Sequence, residues 1–187
     1  SANKNEWILE LMESYKKEPG GLSKLNERNP KWLNDDYVKF IRYAQSVIDR
    51  SNSGIIAYIN PHGFVGNPTF RGMRWNLLQS FDEIYIIDLH GNSNRKETCP
   101  DGSKDENVFD IQQGVCVCIF VKQQNRTKRN CRVFHADVYG TRDHKNDFLN
   151  SATLSDIQFN EVAPTGNEYF FHPVNVGSKS DYDKGFS

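Results

Sequence analysis

The sequence predicts an α/β fold, and three stretches carry that prediction. Gly54–Ile59 (GIIAYI) and Ile84–Leu89 (IYIIDL) are short, almost wholly apolar runs, the kind that a sheet buries on both faces. Between them, Phe70, Met73, Leu77, Leu78 and Phe81 recur at helical spacing and form one apolar stripe. Strand, helix and strand read as one unit, with the two strands parallel and joined by a right-handed crossover. Polar residues gather just past the carboxyl end of each strand: Asn60 and His62 after the first, Asp88, His90 and Asn92 at the second. In open α/β sheets that edge is where ligands bind.

The remaining elements follow in chain order. Residues 6–17 read as a helix whose stripe is Trp7, Ile8, Leu11, Met12 and Tyr15, stopped by Pro19, Gly20 and Gly21. Residues 22–33 form a polar connection. Asn34 is the expected cap of a second helix, with Asp35 and Asp36 at its positive end. Tyr37, Phe40, Ile41, Ala44, Val47 and Ile48 form its apolar face. Asn67 and Pro68 open the third helix as cap and first residue. Residues 92–107 are a long polar loop, a type that is usually functional or disordered. Gly114–Val121 is the most continuous strand in the chain, and Cys131–Val138 reads as its antiparallel hairpin partner. Asp147–Leu154 fits a short helix, and Tyr169–Phe171 a short strand or anchor. The tail from Gly177 is expected to be disordered.

The totals limit the function classes. The 187 residues suffice for one domain with a real core, and a mean hydropathy of -0.70 is that of a soluble chain. A formal net charge of -1 excludes a globally basic nucleic-acid binder, but not a local basic face. No run is long enough to span a membrane, and no signal peptide precedes the first helix. The four cysteines make no zinc spacing and read as buried thiols of a cytoplasmic protein; Cys116 and Cys118 share one strand face. The Asn125-Arg126-Thr127 sequon is then a chance match. Asp101–Glu106 lacks calcium-loop spacing, so no metal site is expected. Neither a Gly-rich phosphate loop nor a Gly-x-Ser-x-Gly elbow is present.

Two groups of residues remain as candidates. His62 and His90 both follow parallel strands, which leaves open an α/β enzyme that uses the pair; backbone-bonded turn histidines are the alternative. Arg71 and Arg74 on the helix, Arg95, Lys96 and Lys104 on the loop, and Lys122, Arg126, Lys128 and Arg129 near the turn read singly as solvated charges. Together, at one end of a sheet, they would contact phosphates and make the chain a non-catalytic DNA-contact or scaffold module.

Five strings go further: Asp36–Ala44 (DYVKFIRYA), Gly54–Phe64 (GIIAYINPHGF), Phe70–Arg74 (FRGMR), Ile84–Asn92 (IYIIDLHGN) and Asn107–Val115 (NVFDIQQGV). In that order they resemble adenine-specific, amino-methylating DNA methyltransferases, above all the methylase part of large single-chain restriction–modification enzymes. The likeness covers residues 3–140. That family has a Gly-rich S-adenosylmethionine loop and an Asn-Pro-Pro-Tyr tetrapeptide, and this chain has neither. Its Asn-Pro pairs lead into Lys31, His62 and Thr69. The resemblance therefore implies the distal part of a Rossmann-like methyltransferase sheet, over residues 1–140. Residues 141–187 would be a linker toward a DNA-recognition region.

In this reading 115–121 is a reversed strand inserted between 55–59 and 84–89. Phe40 would pack on the cofactor's adenine ring or, alternatively, in the core. Pro61 would end a strand near the cofactor or simply make a turn. Phe109 would stack on the flipped target base, with Gln112 and Gln113 bonding the strand backbone beside it. No catalytic residue is expected here. S-adenosylmethionine and double-stranded DNA would be ligands of the full-length enzyme, and the isolated chain would bind the cofactor negligibly and not methylate.

Overall fold

A computed structural model describes residues 5–27, 30–124 and 130–174. Helices α1 (Glu6–Met12) and α2 (Asp36–Asp49) come first. Strand β1 (Gly54–Pro61) leads through the short helix α3 (Gly63–Gly66) into α4 (Arg71–Ser80) and strand β2 (Glu83–Asp88). Then follow β3 (Val115–Lys122), β4 (Arg132–Asp137), α5 (Arg142–Ser151) and β5 (Asn160–Val162). The five strands form one sheet in the order β1-β3-β2-β4-β5.

The register decides the topology. β3 runs antiparallel to both β1 and β2, opposing Tyr58 and Ile86 with Cys118. β1 and β2 therefore point the same way, as the strand–helix–strand pattern requires, but with β3 between them. The hairpin expectation fails. β4 lies on the other side of β2, parallel to it, with His135 opposite Ile86. A strand buried on both faces can accept a partner on either edge, so an apolar run announces a strand without naming its neighbour.

Side-chain alternation divides the core in two. Ile84 and Ile86, Cys116, Cys118 and Phe120 face α1, α2 and α4 across Met12, Ile41, Met73 and Leu77. Ile87, Leu89, Val115 and Val138 face the other way, toward Phe148, Leu149 and Phe159. All four cysteines are free, and Cys116 and Cys118 lie in the first layer. One polar chain ties the helices: the Tyr15 hydroxyl donates to Gln45 at 2.6 Å, and the Gln45 amide donates to Ser80 at 2.6 Å.

Some local expectations shift. Asn34 closes a 3-10 turn (Pro30–Asn34), and Asp35 takes the cap position of α2. The buried side of α2 is Val38, Ile41 and Gln45, while Phe40, Tyr43 and Val47 are exposed. Asn67 does cap the entry to α4, accepting from the Thr69 N–H at 3.0 Å. α5 starts at Arg142, five residues before the expected helix, capped by Thr141. α5 and β5 pack on the same sheet, so no break in packing falls at Gly140. Phe171 is fully buried and donates its N–H to the Val65 carbonyl at 3.0 Å, an anchor rather than a strand. The tail from Gly177, the sequon, and Arg126, Lys128 and Arg129 lie outside the described residues. Among the described residues, no helix is long and apolar enough to cross a membrane.

Candidate functional site

The reversed strand brings four chain segments to one edge. β1 ends at Pro61, β2 at Asp88 and β4 at Asp137, and the amino end of β3 at Val115 lies beside the first two. A cleft of about 410 Å³ opens there, lined by Tyr37, His62, Asn67, Asp88, His90 and Gln113 among others.

The two histidines meet on one carboxylate. His62 Nδ1 lies 2.9 Å from Asp88 Oδ1 and 3.1 Å from Oδ2. The same Oδ1 accepts the His90 backbone N–H at 2.9 Å and lies 3.8 Å from His90 Nδ1. Two glycines make this geometry possible. A Cβ on Gly114 would sit 2.5 Å from the His62 ring. Gly91 has φ +77°, and a Cβ there would fall 2.5 Å from Asn107 Cα. His90 itself has φ +51°, a strained value for a residue with a side chain.

That strain is held by the side chain of His90. Its Nδ1 donates to Glu97 at 2.8 Å, its Nε2 donates to Asp137 at 2.8 Å, and its ring stacks on Tyr139 at 3.9 Å. Burial alone would push the ring's pKa down. The hydrogen bonds to Asp137 and Glu97 and the charge of Asp88 outweigh it and raise the pKa to about 10. At neutral pH this ring is an imidazolium with both nitrogens engaged, while His62 Nε2 lies 3.4 Å from the Asn92 amide.

The polar loop 92–107 is ordered from within the fold. Asp105 is buried and accepts N–H bonds from Gly91 at 2.6 Å and Gly140 at 2.8 Å. Lys145 of α5, fully buried, ion-pairs with it at 2.8 Å and donates to the carbonyls of Leu89 and Glu106, both at 2.6 Å. Asn107 donates to the carbonyls of Gly91 at 3.1 Å and Gln113 at 2.8 Å, and accepts the Phe109 N–H at 2.9 Å.

The residues expected to bind ligands fall into three places. Phe109, 45% exposed, stands at the rim of a shallow cleft of about 550 Å³, shared with Lys104, Gln112 and Arg142. Gln112 and Gln113 take part through backbone carbonyls, toward Ser93 and Asn107. Lys104 is exposed and pairs with Glu106 at 2.8 Å. Phe40 is 56% exposed, which removes its core-packing alternative. It lines a small apolar cleft with Trp7 and Tyr43, and Pro61 is not part of that lining.

Arg71 and Arg74 are corrections. Both are buried. Arg71 forks onto Glu18 and Glu27, and Arg74 donates to the carbonyls of Phe64, Asn67 and Glu168. Buried and committed to internal acceptors, neither guanidinium is presented to a phosphate. Lys122 is also internal, donating to the carbonyls of Ile48 and Ser51 at the end of α2. The expected cationic face loses these three members.

No family model matches this chain, and no curated protein does. Solved structures do. One is a DrdV–DNA complex, with a TM-score of 0.75 and 24% identity over 95% of this chain. Others are the ATP-dependent Type ISP restriction–modification enzyme LlaBIII bound to DNA (0.72, 23% identity, 94%) and a nuclease-deletion mutant of the Type ISP enzyme LlaGI with a DNA substrate mimic (0.77, 21%, 96%). The chain shares its fold with a segment of these proteins. It spans only 16%, 12% and 17% of their respective lengths.

Glu97, Asp137 and Asn107 were not singled out by the sequence. Asp137 ends a strand whose sheet position was misassigned, and Glu97 and Asn107 lie in a loop with no apolar pattern. The one available signal was the strand-end rule applied to β4 as a parallel strand.

Proposed function

We propose that this chain is the distal part of the methylase of a restriction–modification enzyme that methylates adenine N6 in double-stranded DNA. The observation that carries the reading is β3, reversed and inserted between two parallel strands, with a polar cleft where their ends meet. Both are what the resemblance in the five sequence strings requires. The shared fold with DNA-bound restriction–modification enzymes adds to it.

In this reading S-adenosylmethionine is held mostly by residues outside this chain, with Phe40 and Pro61 contributing separate contacts. The exposed ring of Phe40 is free to take that contact. Phe109, held at a cleft rim by Asn107 and by Arg142 on its carbonyl, stacks on the extruded adenine. The amine attacks the sulfonium methyl in line, so rate comes chiefly from positioning. The residues that orient the amine are not in this chain.

Transfer of labelled methyl from S-adenosylmethionine to a DNA duplex tests this. The 187-residue chain alone should be silent, and the chain within its complete reading frame should produce N6-methyladenine. Micromolar cofactor binding by the isolated chain in calorimetry, or a methylated cytosine product, would refute it. The DNA-contact module reading is weakened by the burial of Arg71 and Arg74. The histidine-enzyme reading meets its geometric condition at Asp88, but both His90 nitrogens are already engaged.

A further inference from the structure

The strand-end cleft holds a donor set that methyl transfer does not use. His62, Asp88 and His90 each offer one ligand atom, and these atoms all lie within 4.8 Å of one another. We infer that they form a binding site for a first-row divalent transition cation, of the zinc, cobalt or nickel type.

The distances suit one ion. Metal–ligand bonds of about 2.0–2.2 Å put neighbouring donors roughly 3–3.5 Å apart. His62 Nδ1 and Asp88 Oδ1 are 2.9 Å apart, and Asp88 Oδ1 and His90 Nδ1 are 3.8 Å apart. Glu97 Oε1 lies 2.8 Å from His90 Nδ1 but is not one of the three converging donors, which leaves the fourth position open.

The surroundings also suit an ion. Metal-bound histidines usually give their second ring N–H to a carboxylate, which fixes the tautomer and the ring plane. Asp137 does this for His90 Nε2 at 2.8 Å. Asn92 stands 3.4 Å from the outer nitrogen of His62. Three carboxylates, Asp88, Glu97 and Asp137, converge on two imidazoles, a formal surplus of negative charge in a largely buried site. A dication that takes the place of the proton between His90 and Glu97 lowers that surplus and releases the proton. Two imidazoles with carboxylates favour borderline metals over magnesium or calcium. The cleft gives the ion a way in.

The inference does not depend on the methylase reading, and its test needs neither cofactor nor DNA. The EDTA-stripped chain is titrated with Zn2+ in a calorimeter and with Co2+ by visible absorption. One saturable site per chain is expected, with cobalt bands that a stoichiometric amount of zinc removes. Asp88→Asn should abolish the bands. His62→Ala should weaken binding at least about tenfold, and His144→Ala, at an exposed position of α5, should not change it. Should Asp88→Asn lose its fold by circular dichroism, His62→Ala decides, because the His62 ring belongs to neither hydrophobic cluster of the core. No saturable uptake by the folded chain, or unchanged affinity in His62→Ala, overturns the inference.

Discussion

Replacing Lys145 with Met should be among the most damaging single changes in this chain. The Lys145 and Asp105 side chains are both 0% exposed, and their ion pair spans 2.8 Å. Methionine fills a similar volume but leaves Asp105 buried with the Gly91 and Gly140 N–H donors and the weak Cys99 thiol, and no counterion. The Leu89 and Glu106 carbonyls each lose a donor too. Breaking a buried pair from one side costs about 3–5 kcal/mol, because the surviving charge has no counterion. Total stabilities are about 5–15 kcal/mol, so the loss is a large share. In a domain of this size it corresponds to a fall of roughly 6–20 °C in Tm. Urea denaturation followed by circular dichroism measures the cost. Hydrogen exchange should show residues 92–107 opening first. The double variant Lys145→Met with Asp105→Leu should recover part of the loss, since no charge then remains buried. A single-variant cost below about 1 kcal/mol would refute the reasoning.

Three further outcomes follow from the described contacts. Hydrogen bonds from Arg71 hold the Glu18 carboxyl below its ordinary 4.5. The stabilisation is therefore complete above about pH 4.5 and fades as pH falls, and Arg71→Met should flatten that acid limb in denaturation profiles. Gly91→Ala should cost about 1–3 kcal/mol by denaturant midpoint, because φ is +77° and the new Cβ meets Asn107 at 2.5 Å. Phe109→Ala should leave the stability of the chain within about 0.5 kcal/mol. In the complete enzyme it should weaken target engagement by about 1–3 kcal/mol, read from binding to a duplex carrying the recognition site.

Element types were largely legible, and partners were not. The stripe from Phe70 to Phe81 and the apolar runs at Ile55 and Ile84 report local burial, which periodicity encodes. The neighbour of a strand is a long-range fact; the string likeness, not the periodicity, placed β3 between β1 and β2. Charge misled for the same reason. Arg71 and Arg74 look solvated until Glu18, 53 residues away, and the Glu168 carbonyl, 94 residues away, are brought to them. Lys145 and Asp105 gave no signal, because a polar loop and a polar helix disclose nothing of a buried pair between them. The strand-end rule did reach His62, Asp88 and His90, since it depends only on chain direction.

The position of β3 sets a timetable for folding. β1 and β2 leave the ribosome before β3, and among the described residues neither has a sheet partner until residue 115 exists, apart from the still later β4. Tyr58 waits 60 residues for Cys118. Until then both strands carry unpaired edges and apolar side chains that other chains can capture. High contact order makes closure slow as well. Synthesis that pauses between β2 and β3 should therefore aggregate more than synthesis that pauses after β4.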